Sequence, residues 1–296
     1  MAELPFRLMT LEQAFKSHDR AEKELSRYFP VALVACMEGY FRMAVRDLVD
    51  AGDPYLANAE KVVATVKLDF SLMRAVHGRH VTIGEIIGHS VPISRFEHIE
   101  ATFSSLLGTS FRAKLQSTTD RLAHEVRGEP SKPILDKPDE IFTNVKRTFE
   151  LRHVICHELV SAYEINTLEI EHCFESCVAF LRAADECISE TLNPGVPLTQ
   201  TDMNIAAHSS QQDAEARLAA VVATIEGSAT VEEVAALNQV QANWLVFCES
   251  WIALRVGDRS QGGSMWPMLY SGLKQSEIER RIDDLQKYRD HVEYEI

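Results

Sequence analysis

Residues 150–160 read ELRHVICHELV, and three side chains in this run have the chemistry to cut a phosphodiester: Arg152, His153 and His157. Imidazole exchanges protons near neutral pH, which suits His157 to proton transfer. A guanidinium stays charged and its planar fork matches phosphate oxygens, which suits Arg152 to stabilising a transition state. Cleaving RNA without a metal asks for both. A ribose 2′-hydroxyl must lose a proton, a phosphorane-like transition state must be neutralised, and the departing 5′-oxygen must gain a proton. On a helix, His153 and His157 share a face, whereas Arg152 and His157 point about 140° apart. Two other readings compete. The histidines could hold a metal, although the spacing lacks the glutamate of the metalloprotease pattern and Glu158 faces elsewhere. The three polar residues could also be the solvated edge of a core helix.

Other candidate groups are sparser. Cys173 and Cys177 stand four apart beside His172, a spacing that could bind metal, but no second ligand pair follows at a zinc-site spacing. Glu38, on an apolar stretch, is either a supporting site residue or a salt-bridge partner inside a bundle. His77, His80, His89, His98 and His124 have no partner spacing and read as surface or cap residues.

The elements that must position these groups are helical throughout. No run alternates apolar and polar residues long enough for a strand, so the expected fold class is all-α. A first helix is expected over 10–27, opening on the capping pair Thr10 and Gln13. After Pro30, VALVACMEGYFRMAVRDLVDAG is apolar on nearly all sides and ends at Gly52, the pattern of a central helix covered by neighbours. TIGE at 82–85 is a capping-box start. Helical patterns follow over 94–107 and 110–127, then a proline-rich surface loop over 128–140. The chemistry-bearing segment falls within a helix over 139–163, and a long amphipathic helix covers 166–192. NPGVP at 193–197 cannot continue a helix and marks a boundary. Three more helices are expected over 201–226, 230–256 and 265–292, the last two joined by a GDRSQGGS loop. The division is 1–192, a linker 193–198, and 199–296.

Charge limits the function classes. The chain of 296 residues has a net charge of −14, which argues against a protein that coats nucleic acid. The acidity is uneven: residues 1–150 sum to −1, 151–192 to −6 and 193–296 to −7. A local basic cleft is therefore possible in the N-terminal part. The start MAELPFRLMTLEQAF lacks signal-peptide features, and the six cysteines scatter within helical patterns as packing residues do in a reducing compartment. A cytoplasmic location is expected.

Arg152, the polar His153 and, four residues further on, His157 resemble the signature of the HEPN ribonuclease superfamily. The upstream ACMEGYFR, carrying Glu38, is similar to an early helix of that superfamily, and TIGEIIGHSVPISRFEHIEATFSSLLG to its middle region. The resemblance spans roughly residues 1–192. It implies a helical bundle and a metal-independent endoribonuclease that needs no cofactor and leaves 2′,3′-cyclic phosphate ends. His157 would transfer protons, Arg152 would stabilise charge and His153 would orient or assist. One helix holds too few groups for acid and base together, so a homodimer with facing motifs is implied, with RNA as substrate.

A second resemblance covers residues 199–290. Thr199, Gln200, Met203, Asn204, Gln241, Trp244, Gly262, Gly263, Ser264, Tyr270 and Arg281 are similar to the pattern of LprI-like lysozyme inhibitors. Envelope members of that family carry disulfide cysteines. Here Ile252 and Leu273 stand at two such positions and Cys248 where arginine is common, as a reducing cytosol would allow. The aromatic residues Trp244, Trp251, Trp266 and Tyr270 are expected to form the small core, and Gly262 and Gly263 a turn. Together the two resemblances imply a toxin or anti-phage effector whose C-terminal module senses an antitoxin or phage protein. The alternative is a catalytically silent HEPN-like scaffold or a protein-binding, lysozyme-inhibitor-like protein.

Overall fold

A computed structural model describes residues 3–63, 81–157 and 166–294. Among these the fold is all-α: the chain forms helices and turns, with one isolated bridge between Thr119 and Pro133. It divides into two compact units, residues 1–195 and 196–296.

The first unit is built on α1 (Glu3–Ser17), α2 (Lys23–Asp50), α3 (Tyr55–Val63), α4 (Ile83–Ser90), α5 (Phe96–Leu107), α6 (Phe111–Ser117), α7 (Pro138–His157) and α8 (Thr167–Leu192). Helix α2 is its axis and packs against α4, α7 and α8. Met37, Phe41, Ala44, Val45 and Leu48 are fully buried along it. Phe41 meets Phe103 of α5 at 5.1 Å and Phe180 of α8 at 5.6 Å, and Phe103 meets Phe111 of α6 at 5.0 Å. Each such ring contributes about 1.5–3 kcal/mol by leaving water.

Helix α4 lies close against α2 because Gly84 and Gly88 have no side chains. A Cβ at Gly88 would stand 2.7 Å from the Arg42 carbonyl oxygen. Both ends of this short helix are satisfied from α2. Thr82 and Glu85 form the expected capping box, Asp50 accepts from the Gly84 N–H at 2.9 Å, and Arg42 donates to the carbonyls of Gly88 and His89. An acid at the N-terminus and a cation at the C-terminus also complement the helix dipole.

Three expected boundaries move. The expected helix over 10–27 is divided: α1 already runs from Glu3 and Thr10 lies inside it, its hydroxyl on the Phe6 carbonyl at 2.8 Å rather than capping. The chain turns at residues 18–22, where Asp19 accepts from the Ala21 N–H. Helix α2 then passes through Pro30 instead of starting after it. An interior proline costs about 3 kcal/mol in an exposed helix, and here the surrounding burial of Phe29, Leu33 and Val34 offsets it. The expected helix over 110–127 ends at Ser117 and resumes as a π-helical turn, Leu122–Val126. Between them the chain pairs with the proline-rich loop, as Ile134 donates to the Thr118 carbonyl at 2.9 Å. The loop lies on the surface as expected, with Leu135 alone buried and anchoring it to the core.

The second unit contains α9 (Gln200–Ser228), α10 (Val231–Val256) and α11 (Trp266–Tyr294). Thr199 caps α9, and Thr230 with Glu233 forms a capping box on α10. The expected loop GDRSQGGS is more ordered than its glycines predict. Asp258 caps one helical turn over Arg259–Gly262, followed by a 3-10 turn over Gly263–Met265. Gly263 takes a φ of 55°, and a Cβ at Gly262 would run into the Trp266 ring. Helices α9 and α11 pack along one another over Ala214, Leu218, Ile225, Ile278, Ile282 and Leu285. Helix α10 buries only Cys248 and Ile252 fully. No helix among the described residues is long and apolar enough to cross a membrane.

Candidate functional site

Helix α7 presents the sequence-predicted triad at its C-terminal end. It buries Phe142, Val145, Thr148, Phe149 and Leu151, which turns the remaining face of its last two turns outward. Arg152 is half-buried, whereas His153 and His157 are exposed. The two imidazoles stand 5.1 Å apart, ring centre to ring centre, as i, i+4 neighbours. Continuous helix through His157 puts Arg152 roughly 140° around the axis from it. One protomer therefore gathers the two histidines and leaves the arginine on another side. Glu158, His77 and His80 lie outside the described residues. Glu38 is half-buried on α2, and none of its described contacts links it to the triad.

The Cys173, Cys177 and His172 grouping is divided by its helix. Both cysteines face the core, where the Cys177 thiol meets the Thr148 hydroxyl at 3.3 Å and burial pushes its pKa up to about 12. His172 is exposed on the opposite side. A protonated, buried thiol is a packing group and a poor ligand. His124 reaches the Glu129 carbonyl beyond the π-helical turn at 3.0 Å, and His98 pairs with Ser94 at 3.4 Å.

In the second unit, the residues that carry the LprI-like resemblance bind the helices to one another. Thr199 caps α9. Gln200 donates to Asn204, which donates to the Ser264 carbonyl at 3.0 Å and so ties α9 to the turn before α11. Tyr270 stacks on Trp266 at 4.9 Å and donates to Glu249 of α10 at 2.5 Å. That hydrogen bond, against the opposing effect of burial, holds the Glu249 carboxyl below the usual range. Arg281 of α11 donates to Gln241 of α10 at 2.7 Å with its guanidinium 5.7 Å from the Trp244 ring centre. Partial burial lowers the Arg281 pKa. Ile252 is fully buried and Leu273 half-buried, apolar where disulfide cysteines would stand.

The expectation that the aromatic residues form the small core holds for Trp244, which packs against it, and fails for Trp251, which is exposed. Leu237, Val240, Trp244, Phe247, Trp251 and Leu254 recur at alternating spacings of three and four, a single stripe along the helix. Leu237 and Trp244 reach the core edge. Outside it, Phe247 is 59% exposed, Leu254 76% and Val240 50%, and Phe247 stacks on Trp251. Val246 adds a further exposed apolar group beside the stripe. Between Val234 and Leu254 the only charged residue is Glu249. Sequence reasoning missed this surface because such residues usually bury. The signal that could have found it is the unbroken 3.5-residue period combined with an absence of flanking charge.

Residues 196–285 match the family model described as "Lysozyme inhibitor LprI". The match falls within the second unit and supports the second resemblance. The ribonuclease resemblance of the first unit gains no support from it. No curated protein and no solved structure is significantly similar to the chain.

Proposed function

We propose that this protein acts by binding another protein through its C-terminal unit, as the alternative reading of the sequence has it. The observation that carries this reading is the exposed apolar stripe of α10, which lies inside the segment similar to lysozyme inhibitors. A contiguous apolar surface depleted of charge is what the centre of a protein interface looks like. Residues 193–296 sum to −7, a net charge that favours basic partners over acidic ones. The family description makes lysozymes, including those of phages, the first partners to try. Calorimetry with a panel of bacterial and phage lysozymes is the direct test. Binding of at least one, weakened ~10-fold or more by Phe247→Ser with Leu254→Ser, is expected. Binding that is indifferent to the double variant removes the stripe from the reading, and silence across the panel removes lysozyme as the partner class.

A second reading keeps the N-terminal unit as a metal-independent endoribonuclease of the HEPN type, working as a toxin or anti-phage effector. It is favoured by the adjacent exposed imidazoles of His153 and His157 at the free edge of α7. Because Arg152 projects away from His157 on its own helix, a two-fold homodimer would have to bring one protomer's arginine to its partner's histidine. Arg152→Ala and His157→Ala should each abolish cleavage that survives EDTA and leaves 2′,3′-cyclic phosphate ends. Undiminished cleavage by both variants ends this assignment. On this reading the C-terminal unit would sense an antitoxin or phage protein and release the nuclease in the cytoplasm.

A further inference from the structure

A cavity of about 460 Å³ opens in the first unit among α1, α2 and α4, a size typical of small-molecule sites. Its apolar wall comes from Leu4 of α1 and from Ala35, Gly39 and Met43, spaced four apart on one face of α2. Gly39 leaves the space open, since a Cβ there would meet nothing within 4 Å. The close approach of Gly88 to the α2 backbone sets the opposite wall.

The charged groups lining this cavity are unlike the chain as a whole. Arg7, Arg42 and Arg46 line it against a single carboxylate, Glu85, in a protein of net charge −14. Glu85 already accepts from the Thr82 N–H, and Arg46 is paired with Asp47 at 2.7 Å. Arg42 donates to two carbonyl oxygens, which leaves its charge without an acid among the described residues. Arg7 is exposed beside Cys36 and also has no carboxylate partner among them. Cations without acid partners beside an apolar slot select one kind of molecule.

We infer that this cavity binds a small amphipathic monoanion, its apolar body against Leu4, Gly39 and Met43 and its carboxylate or sulfonate meeting Arg7 and Arg42. The site is separate from the α10 stripe and from the histidines of α7, and stands without either functional reading.

Calorimetric titration of the full chain with decanoate, and with decanol as the uncharged counterpart, tests it. Decanoate should bind saturably and roughly five-fold or more tighter than decanol. Arg7→Gln should weaken decanoate by a similar factor and leave decanol unchanged. Gly39→Leu should fill the slot and abolish binding while raising helix propensity. Ala35→Met reaches the same space from an exposed position and serves if Gly39→Leu does not fold. As an independent readout, decanoate should slow alkylation of Cys36, which lines the slot, and leave that of the exposed Cys156 unchanged. Absence of saturable decanoate binding, or full binding by a folded slot-filling variant, overturns the site. Equal affinity for decanol and decanoate overturns its assignment to an anion.

Discussion

Helices α2 and α10 are of similar length, 28 and 26 residues, and both carry long apolar runs, yet they meet opposite fates. In α2, most of VALVACMEGYF is covered by α4, α7 and α8, with only Ala35 and Gly39 exposed, and Phe41 and Met37 lose all contact with water. In α10, WLVFCESWIAL has α11 behind it and little in front, so Phe247 and Leu254 stay in solvent. The difference is one of neighbours. A helix that is apolar on all sides can be buried only where enough helices surround it, and a three-helix unit leaves one side of each helix open. The first unit spends its apolar residues on its own core. The second leaves a stripe of them exposed, and uses polar ties such as Gln241–Arg281 and Glu249–Tyr270 to hold α10 in place.

The contrast can be broken most sharply by truncating rings. Phe180→Ala, within the aromatic cluster around Phe41, should cost about 3–5 kcal/mol in urea denaturation. Phe247→Ser should stay within ~0.5 kcal/mol, as changes at exposed sites do. A penalty for Phe247 close to that for Phe180 would mean that the stripe is covered, and the comparison would be lost. A smaller effect sharpens it. Because α10 has so little core, its capping box should matter, and Thr230→Ala is expected to destabilise by about 1 kcal/mol. Thermal melts of wild type and variant measure this directly. The smallest expected effect is a pH response. The Glu249 carboxyl is depressed by the Tyr270 hydroxyl, so its contribution is present above the ordinary value of 4.5 and lost as pH falls through the lower folded value. Melting temperature should therefore drop more steeply in wild type than in Tyr270→Phe as the solution is acidified from 4.5 through that lower value. Parallel curves would show that this tie does not hold the helix.

Much of the architecture was legible in the residues. The 3.6-residue periodicity marked an all-α chain, NPGVP broke it, and TIGE announced the capping box that starts α4. Less legible were features set by distant partners. Pro30 reads as a helix start, but burial on both sides carries α2 through it. The pairing of Thr118 with Ile134 cuts short a helix that local propensity would continue. At the candidate sites, spacing alone put His153 beside His157 and turned Arg152 away, because helical geometry is local. The packing role read for the cysteines holds for Cys173 and Cys177, which are buried, but spacing could not say that Phe247 and Leu254 face out.

By itself, the amino-acid order determined the helical class, the capping boxes at Thr82 and Thr230, the break near residue 195 and the companionship of the two histidines, since each depends on residues a turn or two apart. Which apolar faces are covered, and where a slot lined by three arginines remains, was decided only in three dimensions. Burial is a property of how many elements surround a side chain, and no local pattern encodes that number.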